Sequence, residues 1–457
     1  RTMRRGLSDG RACLERCGGN VVKICHLVPG SGGTFYCQNC LRDYGLVREL
    51  KRQGHDVLML PLYLPPFGDD VDTEGSSPVF FGGVNVYLRE RFPLFRRTPG
   101  WIDRLFDSSW LLKLAASQEG STNAAQLGPM TLSMLEGRNG NQQKGYERIV
   151  EWLSCHERPE IIHISNALLL GLAPEIKRAF DVPILCSLQD EEPWIESMPE
   201  RYSRACWDAM ARHAQHVSHF VATSSWYAGR MRERMRLADE RISVVYPGVQ
   251  VDETVFTEPC PDPPAIGFLS RLNEAQGLGI LVDAFIEIKQ DPAMKDLRLR
   301  ATGGCTPADR AFVESIRAKL RARNLEQFLD IVSDFSRERR KKFLRTLSLL
   351  CVPVPQGEAF GIQLIEAMAQ GVPVVQPRAG AYTEVVEATG GGVLYDPREP
   401  GALKDSLLAL LRAPDRLRQL GRLGNDAIRE RFTLSRAARE MISLYNEVLE
   451  RTPHEST

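Results

Sequence analysis

The stretch VVKICHLVPGSGGTFYCQNCLRDYGLVRELKRQGHDVLML, residues 21–60, decides the fold class. Residues 21–28 are apolar on both faces, which is typical of a buried strand, and the glycine-rich residues 29–33 predict a turn. Apolar residues then recur at helical spacing through residues 41–50, and residues 56–60 predict a second buried strand. Strand, glycine turn, helix and strand together make one βαβ unit of a parallel sheet.

The same alternation continues through the front half of the chain. Further short apolar runs, typical of buried strands and separated by helical segments, lie at residues 160–164, 183–188, 219–223 and 242–246. Proline, glycine and polar clusters interrupt this pattern between residues 62 and 150, which we interpret as an insertion over one face of the domain. We therefore assign residues 21–257 to a first doubly wound α/β domain and leave residues 1–20 unassigned.

A proline-rich segment, EPCPDPP at residues 258–264, marks the predicted domain boundary. Five strand-like runs with helices between them follow it, at residues 265–270, 297–301, 329–332, 349–353 and 373–376. Helices are also predicted at residues 400–412 and 436–450. The second half, residues 258–435, is thus a second doubly wound, Rossmann-like domain. Two such domains facing each other leave a cleft between the carboxyl ends of their strands, where ligands of these sheets usually bind.

Composition and charge exclude several classes of protein. The chain has 457 residues, of which 43% are hydrophobic, and 58 basic residues balance 58 acidic ones. No global field therefore favours nucleic acid or an anionic membrane. Residues 1–20 lack the apolar run of a signal peptide, and no later stretch offers the ~20 apolar residues that cross a bilayer, which predicts a cytoplasmic protein. The basic and aromatic residues 89–104 admit peripheral membrane contact or an acidic acceptor, but a solvated helix face is favoured.

The eleven cysteines are spread singly, which favours reduced thiols over a disulfide scaffold. Cys37 and Cys40 form one CxxC, but no second ligand pair follows at zinc-site spacing, so no metal site is predicted. A redox role for this pair requires a matching helix N-terminus, and it would leave the rest of the chain unexplained.

The stretch GEAFGIQLIEAMAQGVP, residues 357–373, joins a strand end, a helix start and a helix stop with two carboxylates. Gly361 frees the N-terminus of the predicted helix, whose amides and dipole suit a diphosphate. Glu358 precedes this helix and Glu366 lies just over one turn inside it, so both can face the cleft and accept bonds from vicinal sugar hydroxyls. The alternative is an ordinary capped helix with an acidic first turn.

Two glutamates separated by seven residues in this setting resemble the signature of retaining GT-B glycosyltransferases of family four. The resemblance spans about residues 20–450 and is weakest between 62 and 150. It implies that Glu358 contacts a donor sugar and Glu366 the nucleotide ribose, while Phe360, Gly361 and Ile362 supply amides near the phosphates. It also implies that residues 436–457 form a crossover helix, returning to the first domain, and a tail.

A second match is IGFLSRLNEAQGL, residues 266–278, which is similar to the strand and loop that carry an Arg and a Lys for the donor diphosphate in that family. Arg271 falls on the Arg position, where a guanidinium can neutralise a leaving phosphate, although an ordinary salt bridge is the alternative. Gln276 stands at the Lys position and supplies no charge.

Other candidate positions follow the remaining strands. The resemblance makes Gly32 and Gly33 neighbours of the phosphates, and it places Val332 beside the nucleotide base. Gln189 stands where many relatives carry a histidine that helps to position the sugar. Asp190 could bind the acceptor or act on its proton, with a helix cap as the alternative.

Three further residues at strand ends have a structural interpretation as well as a functional one. Glu191, like Asp190, is interpreted either as a residue that binds the acceptor or as a helix cap. His163 has a core imidazole as the alternative to a site residue, and Ser224 is first interpreted as a helix N-cap.

The resemblance implies a hexosyltransferase that moves a sugar from a nucleotide diphosphate sugar to an unidentified acceptor, with retention of configuration and without metal or cofactor. The acceptor hydroxyl would attack from the side on which the diphosphate leaves. Two alternatives stay open. One is a non-catalytic nucleotide-sugar-binding protein, because Gln189 and Gln276 both replace groups with a chemical role. The other is a sugar-nucleotide epimerase of the same fold.

Overall fold

The computed structural model describes residues 21–30, 35–63, 124–155, 158–251, 259 and 261–451. Its first half contains a six-stranded sheet in the order β2-β1-β3-β4-β5-β6, in which every pairing is parallel. The strands are β1 (Lys23–Val28), β2 (Asp56–Pro61), β3 (Ile161–Ile164), β4 (Ile184–Leu188), β5 (His219–Ala222) and β6 (Ile242–Val244). Each corresponds to a strand predicted from the sequence.

The second half forms another parallel six-stranded sheet, in the order β12-β11-β10-β7-β8-β9. Its strands are β7 (Ala265–Leu269), β8 (Arg298–Thr302), β9 (Leu329–Val332), β10 (Leu349–Leu350), β11 (Val374–Pro377) and β12 (Gly392–Tyr395). The prediction of two doubly wound α/β domains is confirmed. The prediction of five strands here was wrong, because the edge strand β12 is short and mostly half-buried, so it lacks the apolar run of a central strand.

Helices cover the faces of both sheets. In chain order they are α1 (Gln38–Arg52), α2 (Ala124–Leu135), α3 (Gln143–Ser154), α4 (Ala173–Ala179), α5 (Glu191–Glu196), α6 (Glu200–His213), α7 (Ser225–Met235), α8 (Leu278–Ile288), α9 (Arg310–Arg321), α10 (Arg337–Leu344), α11 (Ile362–Ala369), α12 (Tyr382–Thr389), α13 (Ala402–Leu411), α14 (Pro414–Arg431) and α15 (Leu434–Arg451). Helix α14 was missing from the prediction, because most of its residues are polar and only a narrow stripe that includes Leu420 and Ile428 is buried.

The last helix packs on the first sheet. Apolar side chains of α15, among them Met441, Leu444 and Val448, share one core cluster with side chains of α1 and of strands β1 to β5. The hydroxyl of Tyr445 lies 2.6 Å from Nδ1 of the buried His163. The first sheet is therefore covered on this face by residues from both ends of the described chain.

The chain passes between the two domains in two adjacent segments. The amide of Val249 donates to the carbonyl of Phe432 at 2.9 Å, and the amide of Leu434 donates to the carbonyl of Val249 at 3.0 Å. A Cβ atom at Gly248 would lie 2.3 Å from the backbone of Thr433, so only glycine allows this approach. The boundary predicted at residue 258 lies outside the described residues, as do most of the insertion, the basic stretch 89–104, residues 1–20 and the tail beyond residue 451.

Candidate active site

Helix α11 begins beside the cleft at a glycine with a left-handed backbone. Gly361 has a φ of 95°, and a Cβ there would lie 2.8 Å from the ring of Tyr382. This turn leaves Glu358 just before the helix, with 4% of its surface exposed. The side-chain amide of Gln363, in the first turn, donates to Glu358 Oε2 at 2.7 Å and fixes the carboxylate.

Gln38, in the first turn of α1, reaches across the cleft to the same place. Its Nε2 donates to both carboxylate oxygens of Glu358 at 3.0 Å, and its Oε1 accepts from the amide of Ile362 at 2.9 Å. One neutral side chain of the first domain thus satisfies a carboxylate and a helix N-terminal amide of the second. These are two of the groups that the resemblance assigns to the donor.

Glu366 lies one turn further along α11 and is also held from both domains. The hydroxyl of Tyr36 donates to Glu366 Oε2 at 2.8 Å, and the guanidinium of Arg340 donates to Oε1 at 3.0 and 3.2 Å. Burial and the neighbouring Glu366 charge raise the pKa of Tyr36 well above its ordinary value, so its hydroxyl stays protonated and acts as a donor. Arg340 is only 6% exposed, which strengthens its ion pair with Glu366.

Arg271 follows β7 and lies at the edge of the cleft. It makes two parallel hydrogen bonds to the carboxylate of Asp309, at 2.8 and 3.1 Å, and a third to Thr306 Oγ1 at 3.0 Å. Burial alone would raise the pKa of Asp309, but the hydrogen bonds from Arg271 and Thr306 lower it, so the carboxylate stays charged. The phenyl ring of Phe35 lies 4.9 Å from the guanidinium carbon. Arg271 thus forms the salt bridge given as the alternative and also faces the cleft.

Gln276 and Val332 have different positions relative to the cleft. Gln276 Oε1 accepts from the hydroxyl of Ser270 at 2.6 Å, and the side chain lines the cleft without adding charge. The carbonyl of Val332 accepts from Thr302 Oγ1 at 2.7 Å at the end of β9. Val332 lies outside the cavity that Gln276 lines.

Gln189 and Asp190 occupy the facing edge of the first sheet. Gln189 is 2% exposed and its Nε2 donates to the carbonyl of Ser165 and, at 3.4 Å, to Asp43. Asp190 has a left-handed φ of 66°, and its Oδ1 accepts from the amide of Ala359 at 3.0 Å, across the cleft. Burial and the nearby Glu358 carboxylate raise the pKa of Asp190 to about 7. Asp190 can therefore change protonation state near neutral pH.

Three other polar residues at this edge stabilise the first domain. Buried Glu191 accepts from the amides of Ala167 and Gln189 and from the hydroxyl of Tyr227, at 2.7 to 2.9 Å. His163 is a buried imidazole between Ser187 and Tyr445, and burial lowers its pKa well below the ordinary value. Ser224 caps α7 through its bond from the amide of Tyr227, as the sequence predicted.

A cavity of about 310 Å³ is lined by residues of both domains. The predicted residues that line it are Gln189, Asp190, Arg271, Gln276, Glu358, Phe360, Gly361 and Ile362. Glu366 lies outside this lining, and Gly32 and Gly33 lie outside the described residues. Within the described part of the chain, no three His, Cys, Asp or Glu side chains are grouped to hold a metal ion.

The sequence interpretation missed the partners that hold these groups. Tyr36, Gln38 and Arg340 bond directly to the two glutamates, and Asp309 bonds to Arg271. A signal existed for Gln38, because polar side chains in the first turn of a helix that follows a glycine loop point towards the cleft. The contacts of Tyr36 and Gln38 join residues more than 300 positions apart, those of Arg340 and Asp309 join residues 26 and 38 positions apart, and nothing in the local sequence indicates them.

Family comparisons agree with this geometry. Residues 44–248 match the family model described as a glycosyl transferase 4-like domain, and residues 263–413 match the model described as glycosyl transferases group 1. The chain has the GT-B fold, and its two halves are similar to two glycosyltransferase domain families. The two matches fall on the two sheets that frame the cleft.

Curated relatives carry glycosyltransferase names. The chain is 30% identical to the D-inositol 3-phosphate glycosyltransferase of Xylanimonas cellulosilytica over 231 residues, which are 47% of this chain and 53% of that protein. It is 29% identical to the phosphatidyl-myo-inositol mannosyltransferase of Mycobacterium leprae over 195 residues, or 42% and 46% of the two chains. The match therefore spans about half the length of these curated relatives.

Solved structures share the fold over nearly the whole chain. Sucrose-phosphate synthase from Thermosynechococcus elongatus superposes with a TM-score of 0.68 at 18% identity, covering 94% of this chain and 99% of that one. HepE of Anabaena, in its complex with UDP-glucose, gives a TM-score of 0.64 at 16% identity, covering 93% and 100%. At these identities the likeness concerns the fold. Among the described residues, no helix combines the length and apolar character that a membrane crossing requires.

Proposed function

We propose that the chain is a glycosyltransferase that moves a hexosyl group from a nucleoside diphosphate sugar to an acceptor hydroxyl with retention of configuration. The observation that carries this proposal is the position of Glu358, Glu366 and the Ile362 amide on one helix start at the interdomain cleft. Two carboxylates and an amide at this spacing suit the hydroxyls and phosphates of one extended ligand. The matches to two glycosyltransferase domain families support the same conclusion.

The donor would lie along the start of α11. Glu366 would accept from the ribose hydroxyls, Glu358 from the sugar, and Arg271 and the amides of residues 360–362 would stabilise the diphosphate. Gly32 and Gly33 would close over the phosphates, and Val332 would lie by the base. HepE binds UDP and UDP-glucose, which makes uridine diphosphate sugars the first donors to test. Since Gln38 and Tyr36 already bond to the two glutamates, donor binding would exchange these bonds for bonds to the ligand.

The transfer would proceed on one face of the sugar. The acceptor oxygen would form a bond to the anomeric carbon as the bond to the diphosphate oxygen breaks, and the acceptor proton would pass to the leaving phosphate or to Asp190. Arg271 would carry most of the charge stabilisation, because Gln276 offers a hydrogen bond but no charge. Gln189 would orient Asp190 and the neighbouring loop and would not act as acid or base. These steps require neither metal nor cofactor.

The proposal also includes a class of acceptor and a cellular compartment. The names of the curated relatives include D-inositol 3-phosphate and phosphatidyl-myo-inositol, so inositol phosphates are the first acceptors to test. We propose the cytoplasm as the compartment, because the described cysteines are all thiols and that compartment keeps thiols reduced.

The test is release of nucleoside diphosphate from a panel of uridine and guanosine diphosphate sugars, with and without inositol phosphates. We expect one donor to turn over, and we expect Glu358→Ala and Arg271→Ala each to lower kcat/KM by about 100-fold or more. Arg298→Ala is the matched control, because Arg298 makes the same two-bond pair with Asp330 away from the cleft, at 2.9 and 3.0 Å. Equal losses in all three variants would contradict a site at Glu358 and Arg271.

Two alternatives give different results in this assay. Saturable donor binding without turnover across a broad acceptor panel would indicate a nucleotide-sugar-binding protein, and the uncharged Gln276 favours that reading. Conversion of one sugar nucleotide into its epimer, without release of nucleoside diphosphate, would indicate an epimerase. Anomeric configuration of the product, read by NMR, tests retention.

A further inference from the structure

Cys37 and Cys40 bracket the first turn of α1. Cys37 is the N-cap residue of the helix, and its Sγ accepts a hydrogen bond from the amide of Cys40 at 3.4 Å. Both side chains are half-buried thiols, and Cys37 lines the interdomain cavity. This is the helix N-terminal placement that a redox role for the CxxC requires, and it is the environment in which such pairs react.

The spacing allows the two sulfur atoms to meet. Cys37 is the N-cap and has an extended backbone (φ −104°, ψ 100°), and its Sγ lies 3.4 Å from the amide nitrogen of Cys40. A disulfide needs a Cβ separation of roughly 3.5–4.5 Å, and because the sulfur of Cys37 already lies against the backbone of Cys40, a small adjustment of the first turn closes the bond. The first turn is also the least constrained part of a helix, because its amides have no partners within the helix.

Other cysteines of the described chain lack this setting. Cys25, Cys186, Cys206 and Cys351 are buried, and burial raises the pKa of each thiol, to about 12 for Cys25 and Cys206. Cys155 is exposed and Cys305 is half-buried, but neither has a second cysteine three positions away. In the described residues the CxxC is thus the pair whose spacing favours an intramolecular bond.

The two residues enclosed by the pair hold both sides of the cleft. Gln38 bonds to Glu358 and to the Ile362 amide of the second domain. Asn39 Nδ2 donates to the carbonyl of Gln189 in the first domain at 3.1 Å. Closing a ring of Cys37, Gln38, Asn39 and Cys40 would therefore act on the segment that joins the two edges of the cavity.

We propose that Cys37 and Cys40 form a redox-active dithiol that closes to an intramolecular disulfide at the mouth of the cleft. A thiolate of the pair attacks an external disulfide, such as glutathione disulfide, and releases one glutathione. The second cysteine then displaces the other glutathione from the mixed disulfide. Two protein thiols are oxidised, one external disulfide is reduced to two thiols, and the two protons remain on the released glutathione.

The closed form differs from the structure at one contact in particular. Cys37 Sγ, once bonded to the second sulfur, is drawn away from its capping position on the Cys40 amide. The first turn of α1 then tightens around Gln38 and Asn39. The site is thereby a modification site placed where it can alter the contacts of Glu358 and Gln189, and its existence does not depend on what the cleft binds.

The experiment is a thiol titration of the full chain in buffers of stepped reduced and oxidised glutathione. Trapped thiols are alkylated, and peptide mass spectrometry locates each modified cysteine. We expect two thiols to disappear together and a Cys37–Cys40 peptide that is lighter by two hydrogen atoms. Cys37→Ser and Cys40→Ser should each abolish this species, while Cys305→Ser, a matched half-buried control, should retain it.

Three outcomes would overturn the proposal. They are full alkylation of Cys37 and Cys40 in buffers that already glutathionylate the exposed Cys155, a mixed disulfide at either position that never closes, and linkages of either residue to another cysteine. Circular dichroism of each variant shows that its fold is retained. Because the readout counts thiols and needs no substrate, its result is separate from that of the glycosyltransferase assay.

Discussion

At the carboxyl edge of the first sheet, Gln189 and Glu191 bond mainly to groups of their own domain, such as Ser165 and Tyr227. At the facing edge of the second sheet, Glu358 and Glu366 bond to Gln38 and Tyr36 of the other domain. Both edges carry buried polar side chains, and both sets are hydrogen-bonded. They differ in that Glu358 and Glu366 take partners from both domains, Gln363 and Arg340 from their own and Gln38 and Tyr36 from the other.

We interpret this difference as the one between structural groups and the groups proposed to bind a ligand. A carboxylate whose partners lie in its own domain keeps them when the domains move apart. A carboxylate with one partner across the cleft loses that partner on opening and keeps only those of its own domain, so a ligand hydroxyl can take the vacated position. Asp190, Thr223 and Ser224 are exceptions on the first edge, since all three bond to the backbone of Ala359 across the cleft.

The largest effect is expected for Glu191→Ala. It would leave two buried amides and the Tyr227 hydroxyl without their acceptor, and we expect the free energy of unfolding to fall by about 4 kcal/mol. Urea denaturation measures the change. Glu192→Ala, which removes the ion pairs with the half-exposed Arg230 and Arg234, is the control and should cost below about 1 kcal/mol. Equal losses in both variants would show that the first edge is not held as described.

Gln276→Lys tests whether residue 276, at the edge of the second sheet, lies at the proposed phosphate site. A lysine there adds the charge that the resemblance expects beside the diphosphate, and a charge-assisted bond should tighten UDP binding by about tenfold, or about 1.4 kcal/mol. Calorimetric titration with UDP at low and high salt measures it, and the gain should shrink as salt rises. Gln290→Lys, at a helix end remote from the cleft, is the control. An unchanged affinity would remove Gln276 from the phosphate site.

Tyr36→Phe tests whether a ligand displaces the cross-domain partners. The variant deletes the hydroxyl bonded to Glu366, so UDP no longer competes with it, and we expect about fivefold tighter binding, or about 1 kcal/mol. Tyr246→Phe is matched, because the Tyr246 hydroxyl also donates to a carboxylate of the second domain, Glu384, away from the cavity. Equal gains in both variants would point to easier domain opening, and weaker binding in Tyr36→Phe would show that Tyr36 contacts the ligand itself.

The last prediction concerns the pH dependence of stability. The folded chain holds a proton on Asp190 up to about pH 7, whereas the unfolded chain releases it near the ordinary value of 3.8. Since the folded state then binds more protons, Asp190 makes stability fall as pH rises from about 4 to about 7. Asp190→Asn should flatten this part of the profile, measured by urea midpoints, while Asp181→Asn at an exposed position should not. An unchanged slope would mean that Asp190 is already charged at low pH.

The sequence predicted the strands of the first sheet and the location of the glutamates, because short buried runs, glycine turns and helix starts have local signatures. It missed β12 and α14, whose apolar faces are short or narrow. Tertiary packing, which local pattern does not encode, decides such elements.

The hydrogen-bond partners of the site residues were harder to predict than the helices and strands. The bonds from Gln38 to Glu358 and from Tyr36 to Glu366 depend on how two independently patterned domains meet. A salt bridge was the alternative prediction for Arg271, but its partner Asp309 lies 38 positions away and no motif indicates it. The assigned roles of Glu358, Glu366 and Arg271 stay predictions until the variants are measured.

The position of α15 on the first sheet has a consequence for synthesis of the protein. Tyr445 and its neighbours complete a core whose other members are translated in the front half of the chain. A nascent first domain therefore leaves the ribosome with one sheet face covered by α1 but not by α15, and it must wait for the second domain to emerge before the face is closed. During that interval a chaperone has an apolar surface to bind, and a chain truncated before Leu434 has a first domain that lacks part of its core.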